Sequence, residues 1–276
     1  MLRPFIVLLC TLGMATPALA LDLSGEPIQG GLMFGTVSPG AEVRLDQQPV
    51  MVSEDGRFVI GFGRDETGVR NLVVKYPGSN EVHVRPLQVK ARDYDIERVD
   101  GLPPRTVTPD PEAAERIAEE RRMTANAKAR RDAHPWYAAG FEWPAQGRIS
   151  GVYGSQRILN GEPRNPHYGV DVAAPAGTLV RAPAPGVITL AHPDMYFSGG
   201  TIILDHGHGL SSSFLHLSEI LVEAGQTVRQ GDPIGKIGMT GRATGPHLDW
   251  RMSWLDRRVD PRPLVGDMPP APAAAE

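Results

Sequence analysis

The chain has 276 residues, with 28 lysines and arginines against 32 aspartates and glutamates and a formal net charge of -4. This acidic balance argues against nucleic acid as a partner, because proteins that bind a polyanion carry a basic patch or stripe. Glycine (31) and proline (26) are abundant, and aromatic residues make up only 6% of the chain. Such a composition is typical of many turns and short strands.

The first twenty residues, MLRPFIVLLCTLGMATPALA, have the pattern of a secretory signal peptide. One positive charge, Arg3, precedes a short apolar run, and the ending Ala18-Leu19-Ala20 predicts cleavage after Ala20. The apolar run is shorter than the roughly 20 residues that a membrane span needs, so no span is predicted in the mature chain. The mature chain, about residues 21–276, has no cysteine and therefore no disulfide or thiol chemistry.

Residues 21–100 carry the signals of a small antiparallel β-sandwich. The stretch AEVRLDQQPVMVSEDGRFVIGFG alternates apolar and polar residues around Asp55-Gly56, which predicts a hairpin there. VRNLVVKYPG and EVHVRPLQVKARDYDIERV continue the alternation, and His83 has the place of an exposed strand residue. No site-like cluster of histidine, aspartate or glutamate occurs here, so this domain is expected to bind or space rather than to catalyse.

Residues 101–140 change character, from a proline-rich linker to a highly charged helix. Asp110 can cap this helix with Pro111 at its first position, and the helix is expected to run to about Asp132. Its thin apolar stripe consists of Ala114, Ile117, Ala118 and Ala125. We interpret it as a solvated connecting helix lying against the domains, with a partner-binding helix as the alternative.

From FEWPAQGRISGVYGSQR to about Leu264 the chain returns to short strands separated by glycine and proline. No helical periodicity of any length is present. We therefore predict an all-β domain over residues 141–265, followed by a disordered Pro/Ala-rich tail over residues 266–276. The chain as a whole is predicted to be mainly all-β, and this domain holds most of the histidines.

Two histidines and two aspartates beside these strands form the inventory of a metal site. NPHYGVDVAAP places His167 and Asp171 four positions apart, and residues i and i+4 of an extended chain share a face. TGPHLDW places an imidazole and a carboxylate, His247 and Asp249, two positions apart on one face of a strand. His216 lies in SSSFLHLSEI at the end of another strand. Three protein ligands with one open position is the pattern of catalytic zinc, and nitrogen and oxygen ligands suit that ion.

These motifs resemble those of the lysostaphin-type zinc metalloendopeptidases, which cut peptidoglycan cross-bridges. Residues 146–264 supply HYGVD, LHLS and TGPHLD, in the order of the family's His-x-x-x-Asp, His-Leu and His-x-His motifs. The resemblance implies a compact antiparallel β domain, like a duplicated hybrid motif, with a groove over one sheet and one Zn²⁺ per chain. It also implies that His167 and Asp171 are zinc ligands, and that His216 and His247 act on the water and the transition state.

The chain departs from this family at the third ligand position, where Asp249 replaces a histidine. A carboxylate binds zinc at about the same distance as an imidazole, so a His-Asp-Asp site is expected. Two anionic ligands nearly neutralise the ion, which makes a bound water less acidic. The site is then either a working variant with altered pH dependence or a degenerate site that binds metal poorly; we expect activity.

Several residues near these positions are candidates for contact with substrate. Peptidoglycan stems carry carboxylates, which arginine can hold in bidentate fashion. The candidates are Arg157, Arg164, Tyr168 and His192, the last in a loop near the groove; the alternatives are solvated loop arginines and aromatic packing. His206 and His208, in DHGHG, are assigned to a turn between two strands.

The expected function is that of an exported, periplasmic endopeptidase that hydrolyses the peptide cross-links of peptidoglycan. One alternative is a catalytically degenerate domain that binds and activates another cell-wall hydrolase. Another is a structural adaptor that acts through the N-terminal domain and the helix. Peptidoglycan is therefore the expected partner, with other cell-wall proteins as further partners through the N-terminal domain or the helix.

Overall fold

The protein is described here from a computed structural model, which describes residues 21–99, 113–159 and 161–269. The expected signal peptide, the Asp110-Pro111 helix start and the end of the C-terminal tail lie outside these residues. Within them the chain forms twenty strands and one α-helix, which confirms the mainly β fold with antiparallel sheets and a connecting helix. None of the described helices combines the length and the apolar character that a membrane crossing requires.

The N-terminal strands form two small antiparallel sheets whose apolar side chains share a core, as in a sandwich. One sheet has the order β1-β2-β5 and the other the order β4-β3-β6-β7. Fully buried side chains such as Phe58 and Leu72 fill the space between their inner faces. The strands are β1 (Leu21–Gly25), β2 (Leu32–Val37), β3 (Glu42–Leu45), β4 (Gln48–Val50), β5 (Arg57–Gly61), β6 (Gly68–Lys75) and β7 (Val82–Val89).

The predicted hairpin around Asp55-Gly56 is wrong. The strands on either side, β4 and β5, belong to different sheets: β4 pairs with β3, and β5 pairs with β2. The paired hairpin turns instead at Asp46, which has a φ of 52° and whose carboxylate accepts the N–H of Asn71 at 2.8 Å. The Asp55-Gly56 turn carries the chain from one sheet to the other, and turn residues specify a reversal without specifying the pairing partner.

Two elements connect the sandwich with the rest of the chain. Strand β8 (Ile96–Val99) pairs in parallel with β10 (Gln156–Leu159), which pairs in turn with β11 (Glu162–Pro163). The helix α1 spans Ala114–Lys128, so it ends before the expected Asp132.

The predicted apolar stripe of α1 is wrong except for Ile117, because Ala114, Ala118 and Ala125 are exposed. The helix docks mainly through polar side chains rather than through an alanine face. The Glu120 carboxylate accepts the N–H of Tyr196 at 2.9 Å, and Arg116 donates to the carbonyl of Asp194 at 2.6 Å. These contacts hold the helix against the sheet, so it lies against the domains as the sequence interpretation expects.

The C-terminal half forms a ten-stranded sheet with the order β17-β14-β15-β16-β19-β12-β9, with β13, β18 and β20 attached beside this path. Short 3-10 helices at Trp136–Ala139 and Arg262–Leu264 precede and follow it. The strands are β9 (Arg148–Gly151), β12 (Gly169–Ala173), β13 (Leu179–Arg181), β14 (Gly186–Met195), β15 (Gly199–Asp205), β16 (Leu210–Ile220), β17 (Thr227–Val228), β18 (Pro233–Ile237), β19 (His247–Trp254) and β20 (Arg257–Val259).

Strand β19 separates the two faces of this sheet, because successive side chains of a strand point to opposite sides. Its apolar residues Leu248, Trp250, Met252 and Trp254 lie in the core, which is continuous with that of the sandwich. Its polar residues His247, Asp249, Arg251 and Ser253 lie on the other face, which we call the site face. The helix α1 also packs on this face, where Ala127 contacts a cluster that includes Ile203 of β15.

His206 lies in the turn between β15 and β16, as the sequence predicts, and its side chain is fully buried. Its Nδ1 lies 2.9 Å from the carbonyl of Pro185 and its Nε2 lies 2.8 Å from the Ser212 hydroxyl. A carbonyl can only accept, so Nδ1 carries the proton and Nε2 accepts from the serine. Burial lowers the pKa of His206 to about 4, because no charged partner compensates for the lost solvent.

This buried histidine should make the protein acid-sensitive. The unfolded chain takes up a proton near the ordinary pKa of 6.5, whereas the folded chain does so only near 4. The stabilisation is therefore complete above 6.5 and is lost as the pH falls to about 4, by roughly 3 kcal/mol. The free energy of unfolding, measured in urea at pH 7 and at pH 4, should fall less between these pH values in His206→Gln than in the wild type. The exposed His134→Gln serves as control and should keep the wild-type loss; equal losses in all three proteins would contradict the prediction.

Candidate metal centre

The centre is built around two carboxylates that the sheet places directly opposite one another. Strands β12 and β19 are antiparallel neighbours, and Asp171 pairs with Asp249 across them. Like charges at directly opposed positions of a sheet are destabilising. Asp249 is buried and Asp171 is partly buried, so water gives them limited screening and the surrounding groups must compensate.

His167 lies just before β12 and faces both carboxylates. Its Nε2 is 3.2 Å from Oδ1 of Asp171 and 3.5 Å from Oδ2 of Asp249. The possible ligand atoms of these three residues all lie within 4.8 Å of one another. The spacing in HYGVD and the strand position of Asp249 thus bring one imidazole and two carboxylates to a single point.

His216 and His247 lie side by side next to this point, with ring centroids 4.8 Å apart. The Nε2 of His247 is 3.9 Å from Oδ1 of Asp171. His216 is in the interior of β16, not at its end as the sequence suggested, and it has a φ of 66°. At this residue β16 exchanges its partner β19, which pairs up to Leu215, for β18, which pairs from Leu217. The irregular backbone turns the imidazole toward the site face.

Three backbone carbonyls fix the orientation of the three imidazoles. The Nδ1 atoms of His167, His216 and His247 lie 3.3, 2.8 and 2.8 Å from the carbonyls of Val152, Thr240 and Gly245 respectively. Since a carbonyl can only accept, each Nδ1 carries the proton in the neutral ring. Each Nε2 lone pair is then directed at the centre, which is how backbone acceptors select the tautomer of a metal-binding or proton-transferring histidine.

Arg251 is a part of the centre that the sequence analysis missed. Its Nε lies 3.0 Å from both carboxylate oxygens of Asp249, and its terminal nitrogen also donates to that carboxylate. Burial favours the neutral acid, but Arg251 and His167 outweigh it and hold the pKa of Asp249 below its ordinary value. The signal was present in PHLDWRMSW, because Arg251 follows Asp249 by two positions and therefore shares its face of β19.

The charges of the histidines respond to this environment. Burial alone would lower the pKa of His167, but its contacts with Asp171 and Asp249 outweigh burial and raise that pKa to about 10. Burial lowers the pKa of His216, which keeps its imidazole neutral at neutral pH. The centre therefore attracts a cation at Nε2 of His167 while His216 remains able to accept a proton.

The residues fit a divalent metal ion of the zinc type. Nε2 of His167 and Oδ1 of Asp171 are buried, and within the described part of the chain they lack a hydrogen-bond partner of good geometry. Once His167 gives up its proton, two carboxylates and one guanidinium leave one negative charge, which a metal cation can offset in place of that proton. One nitrogen and two oxygen donors suit zinc, and a carboxylate has enough lone pairs to bind a metal while it holds Arg251.

Two glycines make room for the carboxylates. A Cβ atom on Gly169 would lie 2.5 Å from Oδ1 of Asp249, and one on Gly151 of β9 would lie 2.2 Å from Oδ2 of Asp171. Real Cβ atoms do not approach other atoms so closely, so any other residue forces a shift. At Gly151 the Asp171 side chain must move; at Gly169 the contacts are Asp249 and, at 2.6 Å each, Arg251 and the Trp250 carbonyl. These glycines look like ordinary strand breakers in the sequence, where a glycine in a strand indicates only that something approaches closely.

The candidate substrate residues lie at different distances from the centre. Tyr168 follows His167 and packs edge-on against Tyr153, with ring centroids 6.4 Å apart. Arg164 is partly buried and precedes His167 by three positions, while the backbone of Arg157 belongs to β10 and its side chain lies outside what the structure describes. His192 lies on strand β14 rather than in a loop, and its Nδ1 accepts the N–H of Asp194 at 3.2 Å.

The chain is similar in sequence and in fold to known proteins. A family model described as peptidase family M23 matches residues 165–261. The peptidoglycan DD-endopeptidase ShyA of Vibrio cholerae is 37% identical over 127 residues, which are 45% of this chain and 28% of that protein. The DD-carboxypeptidase/endopeptidase Mpg of Neisseria meningitidis is 41% identical over 95 residues, 34% of this chain and 22% of that protein. This chain thus matches less than a third of the length of either relative.

A crystal structure from Pseudomonas aeruginosa, described as a putative peptidase M23, extends the likeness over most of the chain. Its sequence is 31% identical and its TM-score is 0.64. The match covers 86% of this chain and 93% of the other. The likeness therefore includes the N-terminal half as well as the ten-stranded sheet.

The glycine contacts generate a prediction about metal binding. Gly169→Ala and Gly151→Ala should each lose most bound zinc, because the added methyl group displaces Asp249 or Asp171. Zinc can be measured by elemental analysis after dialysis, with circular dichroism to verify folding. Gly63→Ala is the matched control, because its Cβ would meet only the Glu66 carboxylate at 3.7 Å. Full zinc in a folded Gly169→Ala would show that Asp249 lies outside the metal site.

Proposed function

This chain belongs to peptidase family M23, and we propose that it is a zinc-dependent endopeptidase that hydrolyses the peptide cross-links of bacterial peptidoglycan. The observation that carries the proposal is the arrangement of five side chains. His167, Asp171 and Asp249 direct ligand atoms at one point. His216 and His247 bind backbone carbonyls through Nδ1 and direct their Nε2 atoms at the space beside it.

The metal-binding role falls to His167, Asp171 and Asp249. A zinc ion held there would supply a Lewis acid and an activated water. Arg251 offsets one of the two carboxylate charges, so that the pair of aspartates does not fully neutralise the ion. The guanidinium thus stabilises the ionised form of Asp249, the residue at the position where lysostaphin-type enzymes have a histidine.

The two remaining histidines divide the proton transfers between them. His216 is the general base, because its buried imidazole stays neutral and its Nδ1 is already committed to the Thr240 carbonyl. His247 lies beside His216 and, as an imidazolium, donates from Nε2 to the developing oxyanion, with Asp171 as a counter-charge at 3.9 Å. The proton taken up at Nε2 of His216 then passes to the leaving amine.

The substrate and the location follow from the relatives and the sequence. ShyA is named a peptidoglycan DD-endopeptidase, which supports a cross-link that involves D-amino acids. A substrate of this kind requires an extracytoplasmic enzyme, in agreement with the signal peptide predicted for residues 1–20 and a periplasmic location. Arg164, Tyr168 and His192 remain candidate substrate contacts, as does Arg157.

The first test is a digest of purified diaminopimelate-type peptidoglycan by residues 21–276. Products are separated and weighed by mass spectrometry, with and without a chelator and added zinc. We expect the chelator to block the loss of cross-linked dimers, and Asp249→Ala to lose both zinc and activity. A folded, zinc-loaded protein that leaves every dimer intact would instead favour the domain that binds another hydrolase.

A second test separates proton transfer from metal binding. His216→Ala should retain about one zinc, because its imidazole is not a ligand, but should lose roughly 10²–10⁴-fold in turnover. His83→Ala, on β7 of the sandwich, is the control and should keep wild-type turnover. Loss of zinc in His216→Ala would assign that histidine to the metal instead.

A further inference from the structure

A cavity of about 360 Å³ lies between α1 and the site face. Helix residues Ile117, Thr124 and Lys128 form one wall, and Ser213 of β16 with Arg251 and Arg258 forms the other. Leu215 and Ser198 also line it, and the carbonyl of Ser198 accepts the N–H of His216 at 2.8 Å. Arg251 in its lining also holds the Asp249 carboxylate, so the cavity adjoins the metal centre through that side chain.

Four cationic side chains line this cavity, against one carboxylate, that of Glu120; the cations are Arg121, Lys128, Arg251 and Arg258. The Nζ of Lys128 donates to the Ser253 hydroxyl at 3.2 Å, and a terminal nitrogen of Arg258 donates to the same hydroxyl at 3.1 Å. Arg251 precedes Ser253 by two positions on the same face of β19 and is cross-strand partner of Ser213. Two long cationic side chains thus converge on one neutral hydroxyl, with a third beside them.

These cations have little local compensation, because the Glu120 carboxylate at the cavity is already bonded to Arg116 and to the N–H of Tyr196. Arg251 is committed to Asp249, but within the described residues neither Lys128 nor Arg258 has a carboxylate oxygen within 4 Å. Burial lowers the pKa of Lys128 well below its ordinary value, and Arg258 and Arg251 lower it further. The Ser213 hydroxyl at the same cavity is buried and has no hydrogen-bond partner among the described groups. Partly buried cations and an unused donor at one cavity are the components of an anion site.

We propose that this cavity is a carboxylate-binding subsite, in which Lys128 and Arg258 hold a free carboxylate of the acidic peptide substrate. The inference rests on the proposed function and adds a substrate class to it: peptides with a free carboxylate near the cleaved bond. A peptide occupant is favoured over a bare anion because Ile117, Leu215 and Ile203 give the cavity apolar walls beside its cations. The helix α1 thereby becomes part of the substrate site rather than a connection only.

The test measures binding, so that it stands apart from cleavage. A peptidoglycan tetrapeptide stem with free carboxylates, and the same peptide fully amidated, are titrated calorimetrically into the zinc-loaded chain. The wild type should bind the free acid about ten- to a hundredfold more tightly than the amide, the worth of a charge-assisted contact. Lys128→Met and Arg258→Met should each remove most of that preference, and Lys128→Arg should retain it. Arg122→Met, an exposed cation on the same helix, should leave it unchanged.

Thermal melting distinguishes this role from a structural one. Lys128→Met should keep or raise the Tm, because it removes a like charge from the cluster. Equal affinity for acid and amide, or a preference that survives Lys128→Met, would overturn the subsite, as would acetate that binds as tightly as the stem. A preserved preference without cleavage of any cross-linked peptide would overturn the proposed function and leave the subsite standing.

Discussion

The pairing of β12 with β19 places two carboxylates directly opposite each other, and the other residues of the centre compensate for the repulsion between them. Asp171 and Asp249 repel one another unless cations lie between or beside them. His167 supplies a proton or a metal-binding nitrogen on one side, and Arg251 supplies a guanidinium on the other. The neighbouring strand positions are glycines, Gly151 and Gly169, because the carboxylates fill the space that a Cβ atom would need there. A slip of β19 by one residue against β12 would move Asp249 to the opposite face and separate it from Asp171.

Irregular backbone supplies what regular strands cannot. Side chains of a regular strand alternate between its two faces. Leu215 pairs with Asp249 and shares the site face, so a regular β16 would direct His216 to the opposite face. The positive φ of His216, at the residue where β16 passes from β19 to β18, breaks this alternation. The imidazole then reaches the carbonyl of Thr240, which lies just after β18. Such a backbone conformation persists only where the surrounding structure enforces it. Here the pairing with β19 on one side of His216 and with β18 on the other enforces it.

Local patterns predicted those parts of the molecule that depend on local geometry. The spacing in HYGVD and in HLD fixes which side chains share a face, and the strand alternation over residues 21–89 fixes a sandwich. Pairing between distant strands does not depend on local pattern. The sequence therefore predicts the turn at Asp55-Gly56 but not that the strands beside it belong to different sheets, and it does not show that β16 continues beyond His216. The sequence places Arg251 on the same face of β19 as Asp249, but it does not indicate that the two residues pair. A carboxylate has enough lone pairs to bind a metal and a guanidinium at once, so a role as metal ligand does not exclude this partner.

The position of α1 follows from charge more than from an apolar stripe. A helix that buries Ile117 and Ala127 but exposes its other alanines has little hydrophobic reason to dock, so its polar contacts with Asp194, Tyr196 and Ser253 determine where it lies. One of these contacts brings Lys128 beside Arg258, an arrangement that repels itself in the absence of a counter-charge. Proteins retain such unfavourable clusters where a ligand compensates for them, because residues chosen for binding are rarely those that maximise stability. Because Arg251 lines the same cavity and holds Asp249, this cluster connects the helix to the centre on the sheet beneath it.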